Sequence, residues 1–163
     1  MPAHVTLRVR DDVPSLRSSR RFAVVRHSFK ALLDRRSFRL VQFSVLGNHL
    51  HLIVEADDSV ALSRGMQSLG TRLAKALNKL LGRSGTLFGD HYHSHLLGTP
   101  AEVAHALAYV RTNAERHFGR PGGVDYFGSD HAEWRDLLVA PVGWLLSTGW
   151  KLARRRVRPC REP

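Results

Sequence analysis

Residues 45–55 read Val-Leu-Gly-Asn-His-Leu-His-Leu-Ile-Val-Glu, and this stretch decides the fold. The preceding residues, 38–46, are rich in Val and Phe. Gly47-Asn48 then separates two apolar runs, as a tight turn between antiparallel strands does. His49 and His51 open the second strand of this predicted hairpin. Because alternate side chains of a strand share one face, the two imidazoles point the same way, about 7 Å apart along the strand.

The segments around the hairpin complete a familiar order of elements. Before it, residues 4–10 alternate as a strand does, and residues 16–36 carry apolar side chains at helical spacing. After it, an N-cap at residues 57–59 opens a helix to Leu81, and residues 86–97 are predicted to form a fourth strand. The order strand, helix, strand, strand, helix, strand predicts an α+β fold of the ferredoxin-like type. It has a four-stranded antiparallel sheet with two helices on one face.

An additional helix is predicted from the Thr99-Pro100 cap to about His117. It carries Tyr109 and Asn113, which share a helix face because they lie four residues apart. On the hairpin strand, Leu50 and its in-phase neighbours face the first two helices, so the histidines face the other side. We expect a catalytic domain over residues 1–118, followed by a Gly-rich loop and a basic, Trp-containing extension over 119–163.

Composition favours a nucleic-acid partner. The chain has 25 Lys and Arg against 14 Asp and Glu, for a formal charge of +11. An anionic membrane surface is the competing partner, but the cations are dispersed and do not gather on one amphipathic helix. No segment approaches the roughly 20 apolar residues of a membrane span, and a cytoplasmic location is expected. The single cysteine, Cys160, has no disulfide partner and no zinc-site spacing.

The pair His49 and His51 has two interpretations. Alternation alone places any two polar residues of a half-buried strand on one face, which is the ordinary structural explanation. The functional interpretation is that two neutral imidazoles converge on one divalent cation. A metal beside a strongly basic surface suggests phosphodiester chemistry.

Three motifs in order carry a resemblance to a known family. They are Gly-Asn-His-Leu-His-Leu-Ile-Val at 47–54, Gly-Thr-Leu-Phe-Gly-Asp-His-Tyr-His-Ser at 85–94, and Ala-Leu-Ala-Tyr-Val-Arg-Thr-Asn at 106–113. Together they resemble the REP-associated tyrosine transposases, of the HUH single-tyrosine class of DNA-processing enzymes. Many relatives have Asn-Pro where this chain has Asn113-Ala114, so the end of the third helix is expected to differ.

The resemblance implies roles for four residues. His49 and His51 would be metal ligands, Tyr109 the nucleophile, and Asn113 the side-chain oxygen that completes the metal site. Two imidazoles and an amide oxygen suit Mn²⁺, and Mg²⁺ is the other expected ion. The expected reaction nicks and transfers single-stranded or hairpin DNA through a covalent 5′-phosphotyrosine, in a monomer or a homodimer.

Other residues compete for these roles or extend them. Tyr92 and Tyr126 are rival nucleophiles, but Tyr92 alternates out of phase with the neighbouring histidines and Tyr126 lies in a glycine-rich loop. Tyr109 is favoured by its partner Asn113. Glu55 shares the histidine face, yet lies about 13 Å from His51 on a regular strand, which disfavours ligation. His91, His93 and His95 alternate on the fourth strand and favour a phosphate-contacting or solvated face. The residues expected to bind DNA are Arg64, Arg72, Lys75, Lys79, Arg83 and His93.

Two other functions fit part of this pattern. A domesticated, catalytically silent DNA-binding protein would keep the fold and the charge but not the metal geometry. A tyrosine-independent metal phosphodiesterase would release its products without a covalent adduct. The basic tail at 151–161 is either a DNA clamp or a solvated chain end.

Overall fold

Four antiparallel strands form the sheet, in a computed structural model that describes residues 1–119 and 122–156, with side chains to residue 153. The strands are β1 (Pro2–Arg8), β2 (Phe38–Val45), β3 (His49–Ala56) and β4 (His93–Leu96). Their order across the sheet is β2-β3-β1-β4, with every neighbouring pair antiparallel. The predicted ferredoxin-like α+β arrangement is therefore confirmed.

Helices cover both faces of this sheet. They are α1 (Ser19–Lys30), α2 (Ser59–Leu81), α3 (Pro100–Phe118) and α4 (Trp150–Arg156). The main core joins α1 and α2 to Leu50, Leu52 and Val54 of β3, while Ile53 packs with α3 in a second core. The predicted alternation of β3 is thus confirmed. In the described part of the chain, no helix combines the length and the apolar character that a membrane crossing requires.

Helix α1 is shorter than the predicted span of 16–36. The Ser18 side chain accepts a hydrogen bond from the backbone N–H of Arg21 and so caps the helix at its start. Leu16 belongs to the preceding loop, where its N–H donates to the Gly47 carbonyl at 2.8 Å. After Lys30 the chain tightens into turns, in which Leu33 N–H bonds the Lys30 carbonyl. Both ends follow from hydrogen bonds, one of them to the distant Gly47, that apolar spacing does not reveal.

The fourth strand was also predicted too long, at 86–97. Only residues 93–96 pair with β1 as a strand, and Phe88 makes an isolated bridge to Val9. Between the two lies a turn in which the Asp90 carboxylate accepts the His91 N–H at 2.7 Å. This side-chain bond satisfies a backbone donor that a continuous strand would use, and it breaks the ladder.

The segment after residue 122 packs against the sheet. Trp134 and Leu137 are buried in the main core, and Leu146 lies in the second core beside α3. Gly128 bridges Ser44 at the free edge of β2, and Val139 N–H donates to the Leu40 carbonyl. The division into 1–118 and 119–163 stays a prediction, and residues of the second segment complete the cores of the first.

Two glycines of α2 give a matched test of this packing. A Cβ on Gly65 would overlap the ring of Phe38, which is fully buried on β2 and has no room to move. We expect Gly65→Ala to lower the free energy of unfolding by about 1–3 kcal/mol through overpacking. A Cβ on Gly70 would be in ordinary van der Waals contact, with the nearest side-chain atom of Phe88 at 3.7 Å. We therefore expect Gly70→Ala to raise the free energy of unfolding by about 0.5–1 kcal/mol. Urea denaturation of both variants checks the pair, and equal effects would contradict the packing described.

Candidate metal and tyrosine site

The two hairpin histidines lie side by side under α3. His49 and His51 have ring centres 5.1 Å apart, and their ring planes are 75° apart. His51 is only 5% exposed, whereas His49 is half-buried at the start of β3. The predicted common face is therefore confirmed, and the deeper imidazole lies in the interface between sheet and helix.

Hydrogen bonds at Nδ1 leave the other nitrogen of each ring free. The Nδ1 of His49 lies 2.6 Å from Asn48 Oδ1, which accepts its proton. The Nδ1 of His51 lies 3.2 Å from both Thr6 Oγ1 and His4 Nε2. With Nδ1 as the donor, each Nε2 keeps its lone pair. His51 Nε2 is buried and has no hydrogen-bond partner among the described residues.

Burial keeps these imidazoles neutral. It lowers the pKa of His51 to about 3, with smaller contributions from His4, His49 and His117. Burial also lowers the pKa of His49 and of His4. Neutral imidazole is the form that ligates a metal, so both hairpin histidines are ready donors at neutral pH.

Helix α3 places the tyrosine over the histidines. Its start is fixed by a capping box between Thr99 and Glu102, with Pro100 in the first turn. The Tyr109 ring centre lies 5.5 Å from that of His51 and 5.7 Å from that of His4. Arg116 adds a guanidinium 5.4 Å from the centre of the Tyr109 ring. The tyrosine predicted as the nucleophile thus lies against His51, one of the predicted metal ligands, within one chain.

Asn113 lies one turn beyond Tyr109. It is 1% exposed, and its Nδ2 has no hydrogen-bond partner in the described part of the chain. Two turns beyond Tyr109, the ring centre of His117 lies 6.1 Å from that of His49. Since residues four apart share a helix face, Asn113 lies between two turns that both contact the histidine pair. A buried amide at this position fits a ligand role through its oxygen, whereas the unpartnered Nδ2 is a hydrogen-bond donor and does not bear on that role.

The donor set fits the divalent cation that the sequence implies. His51 offers a buried Nε2 without a partner, His49 offers its own Nε2, and Asn113 offers an amide. Within residues 1–119 and 122–156, the His, Cys, Asp and Glu side chains form no three-ligand group. An amide oxygen is a further type of metal donor, and that of Asn113 is suitable for Mn²⁺ or Mg²⁺.

Two neighbours of this site were not singled out in the sequence. His4 reaches His51 because β1 pairs with β3 in a register that puts Thr6 opposite His51. In a ferredoxin-like sheet the first and third strands are neighbours, so this predicted pairing could have indicated that His4 lies near His51. His117 continues the series Tyr109, Asn113 at four-residue spacing, and that spacing was visible in the sequence.

The rival residues lie elsewhere. The Glu55 carboxylate is buried and accepts hydrogen bonds from the N–H groups of Val142 and Gly143, both at 2.7 Å. It also pairs with Arg39 at 3.4 Å, so it anchors the chain after α3. Tyr92 packs against the main core, and Tyr126 packs against Phe22 and Trp134, away from the histidine pair.

The predicted DNA-binding residues do not all lie on the same side of the sheet. Arg64, Arg72, Lys75 and Lys79 are exposed on α2, which covers the sheet face opposite to α3. Arg83 is engaged by Asp12 at 2.9 Å and by Asn78 at 2.8 Å. His93 is exposed on β4 opposite Thr6, the β1 residue that pairs with His51, so it lies on the histidine side of the sheet. His91 and His95 are also exposed. The basic tail lies largely outside the described residues, as does Cys160.

Two solved structures share the fold of this chain. Its fold is similar to a solved REP-associated tyrosine transposase bound to a REP hairpin, with 16% identity, a TM-score of 0.61 and 86% of each chain covered. It is also similar to a putative transposase from Deinococcus radiodurans R1, with 13% identity and a TM-score of 0.51, covering 71% of this chain and 89% of that one.

The family model for IS200-like transposases matches residues 1–113, and the chain belongs to this family. The resemblance drawn from the three sequence motifs is thereby confirmed. No curated protein matches the chain.

Proposed function

We propose that this transposase-family protein is a metal-dependent single-strand DNA nickase and strand transferase that acts through Tyr109. The observation that carries the proposal is the contact of the Tyr109 ring with His51, 5.5 Å between centres, where His51 presents a buried Nε2 without a partner. A nucleophile and a vacant donor nitrogen in one interface suit attack on a phosphodiester.

His49, His51 and Asn113 are the residues that would hold Mn²⁺ or Mg²⁺. When bound, such an ion polarises the scissile phosphate and stabilises the charge that develops in the transition state. The protein's own part is to keep the two imidazoles neutral and oriented. Thr6 and His4 do this for His51, and Asn48 does it for His49.

The proposed reaction transfers the 5′-phosphate of the DNA from a 3′-oxygen to the Tyr109 oxygen. The Tyr109 phenol oxygen forms a bond to phosphorus and loses its proton, while the bond from phosphorus to the 3′-oxygen breaks and that oxygen gains a proton. A 5′-phosphotyrosine results, and attack by a free 3′-hydroxyl reverses the step and joins strands. The Arg116 guanidinium beside the Tyr109 ring offers positive charge to the approaching phosphate.

The substrate we propose is single-stranded or hairpin DNA, such as a repetitive extragenic palindrome. A net charge of +11 supports a polyanionic partner, and one tyrosine cuts one strand at a time. The similar REP-associated transposase was solved with a REP hairpin, which makes such hairpins the first substrate to try. DNA contacts by the cations of α2, by Arg83 and by His93 stay predictions, as do the oligomeric state and the cytoplasmic location.

One experiment separates this proposal from its rivals. The protein is incubated with an end-labelled hairpin that carries single-stranded flanks, with and without Mn²⁺, and is run on a denaturing gel. A labelled band at the mass of protein plus DNA, dependent on Mn²⁺, is the expected result. Cleavage without this band would indicate a tyrosine-independent phosphodiesterase, and binding without cleavage would indicate a silent DNA-binding protein.

The orientation of His51 gives a separate prediction. His4→Ala removes one of the two groups that hold His51 Nδ1, so we expect the affinity for Mn²⁺ to fall about tenfold. His27→Ala is the control, because His27 is exposed on α1, which covers the opposite face of the sheet. Isothermal titration with Mn²⁺ measures both, and equal affinities in the two variants would show that His4 does not position the ligand.

A further inference from the structure

A pocket of about 540 Å³ opens at the end of α3, next to the metal and tyrosine site. Its walls include Arg17, Phe118, Asp125, Tyr126 and Phe127, and we refer to it as the Arg17 pocket. The Phe118 ring centre lies 6.4 Å from that of His117, whose own ring lies 6.1 Å from His49. The pocket therefore lies at the end of α3 that also carries His117, whose ring neighbours His49, and its volume is in the usual range of ligand sites, about 300–1,000 Å³.

The planar guanidinium of Arg17 is held in place in the wall of this pocket. Its guanidinium carbon lies 4.4 Å from the ring centres of both Phe118 and Phe127. Both guanidinium ends bind the Asp125 carboxylate, at 2.6 and 2.8 Å, and Nη1 also donates to the Val45 carbonyl. The charge of Arg17 is thus balanced inside the pocket wall.

The chemistry of these walls selects the kind of occupant. Phosphate is disfavoured, because Arg17 is neutralised by Asp125 and a second carboxylate, Glu115, also lines the pocket. Flat apolar groups are favoured, because Phe118 is 48% exposed and Tyr126 is 40% exposed. Asp125 has further lone pairs that can accept N–H groups from such a ligand. A neutral aromatic ring with amino or imino donors matches all three features.

We propose that the Arg17 pocket binds one unpaired nucleobase of the DNA strand that is held at Tyr109. The base stacks on the exposed ring of Phe118, as bases do on aromatic platforms in single-strand binding sites. The phosphates stay outside, towards Arg116 and the histidine pair. This inference rests on the proposed function, since it presumes a single-stranded DNA substrate at that site.

An abasic scan combined with two Phe118 variants tests the pocket. Each nucleotide of the single-stranded flanks of a hairpin is replaced in turn by an abasic residue, and affinity is measured by fluorescence anisotropy in EDTA. At one flank position, removal of the base should weaken binding to the unchanged protein about tenfold. Phe118→Leu keeps an apolar side chain without a π-face, so its affinity for the intact DNA should be reduced by a similar factor.

The decisive result is the coupling between base and ring. At that same position, the abasic change should have no further effect on Phe118→Leu, while Phe118→Tyr, which keeps a stacking ring, should respond as the unchanged protein does. If the same abasic losses persist in Phe118→Leu at every position, the pocket inference is wrong, whereas adduct formation at Tyr109 can still hold. If the unchanged protein does not bind the hairpin at all, the proposed function fails and this inference fails with it.

Discussion

Replacement of Tyr109 by Phe should abolish the covalent protein–DNA adduct and leave affinity for hairpin DNA within about twofold. The change removes only the phenol oxygen, which is the atom that would attack phosphorus. The ring contacts with His51 and His4 are kept, and the phenol oxygen has no hydrogen bond to any residue in 1–119 or 122–156. The folded structure should therefore be unaffected, and the loss should be confined to chemistry. Denaturing gels report the adduct, and anisotropy reports the affinity.

Tyr92→Phe is the matched control for this result. The chain has three tyrosines, so the alternatives are few. Tyr92 precedes β4 and packs against the main core, away from the histidine pair, so its variant should form adduct at the unchanged rate. An adduct that persists in Tyr109→Phe, or one that disappears in Tyr92→Phe, would overturn the assignment of the nucleophile.

The parts of the fold that sequence predicted well are those with local chemical markers. Helix α2 begins at Ser59, where Asp58 caps it, and ends before Gly82, which adopts a positive φ of 62°. Helix α3 begins at Pro100 under the Thr99 capping box. At each of these ends, a capping side chain or a C-terminal glycine provides for backbone groups that the helix leaves without a hydrogen bond. The local sequence therefore determines the boundary.

The parts that sequence predicted poorly are set by contacts between distant segments. Leu16 leaves the helix because its N–H is taken by Gly47, far away in the chain. Trp134 and Leu137 complete the main core although they lie beyond a glycine-rich stretch. Apolar spacing shows that a segment will be buried, but it does not show against which partner.

The candidate site divides in the same way. His49 with His51, and Tyr109 with Asn113, were predictable because each pair lies on one element with fixed periodicity. That the two pairs meet follows from the packing of α3 over Ile53, which no local pattern indicates. His4 was missed because its role depends on the register between β1 and β3.

Loss of either hairpin histidine should remove tight metal binding. Since each imidazole supplies one of only three proposed protein ligands, we expect His49→Ala and His51→Ala to weaken Mn²⁺ affinity by more than about 100-fold, and to stop Mn²⁺-dependent cleavage. Asn113→Ala should have a smaller effect on Mn²⁺ affinity and on cleavage, because water can replace an amide oxygen more readily than an imidazole. Isothermal titration with Mn²⁺ in the absence of DNA measures the affinity directly.

The two histidine variants are expected to differ in their effect on the stability of the fold. His51 is 5% exposed and packs against Tyr109, so its alanine variant also leaves a cavity, and thermal unfolding in EDTA must accompany its titration. His49 is only half-buried at the start of β3, so its loss should leave the melting temperature in EDTA nearly unchanged. His27→Ala, exposed on α1 beneath the opposite face of the sheet, should bind Mn²⁺ as the unchanged protein does. Unaltered Mn²⁺ affinity in a folded His49→Ala protein would exclude the two-histidine site, because His49 would then contribute nothing to the metal binding.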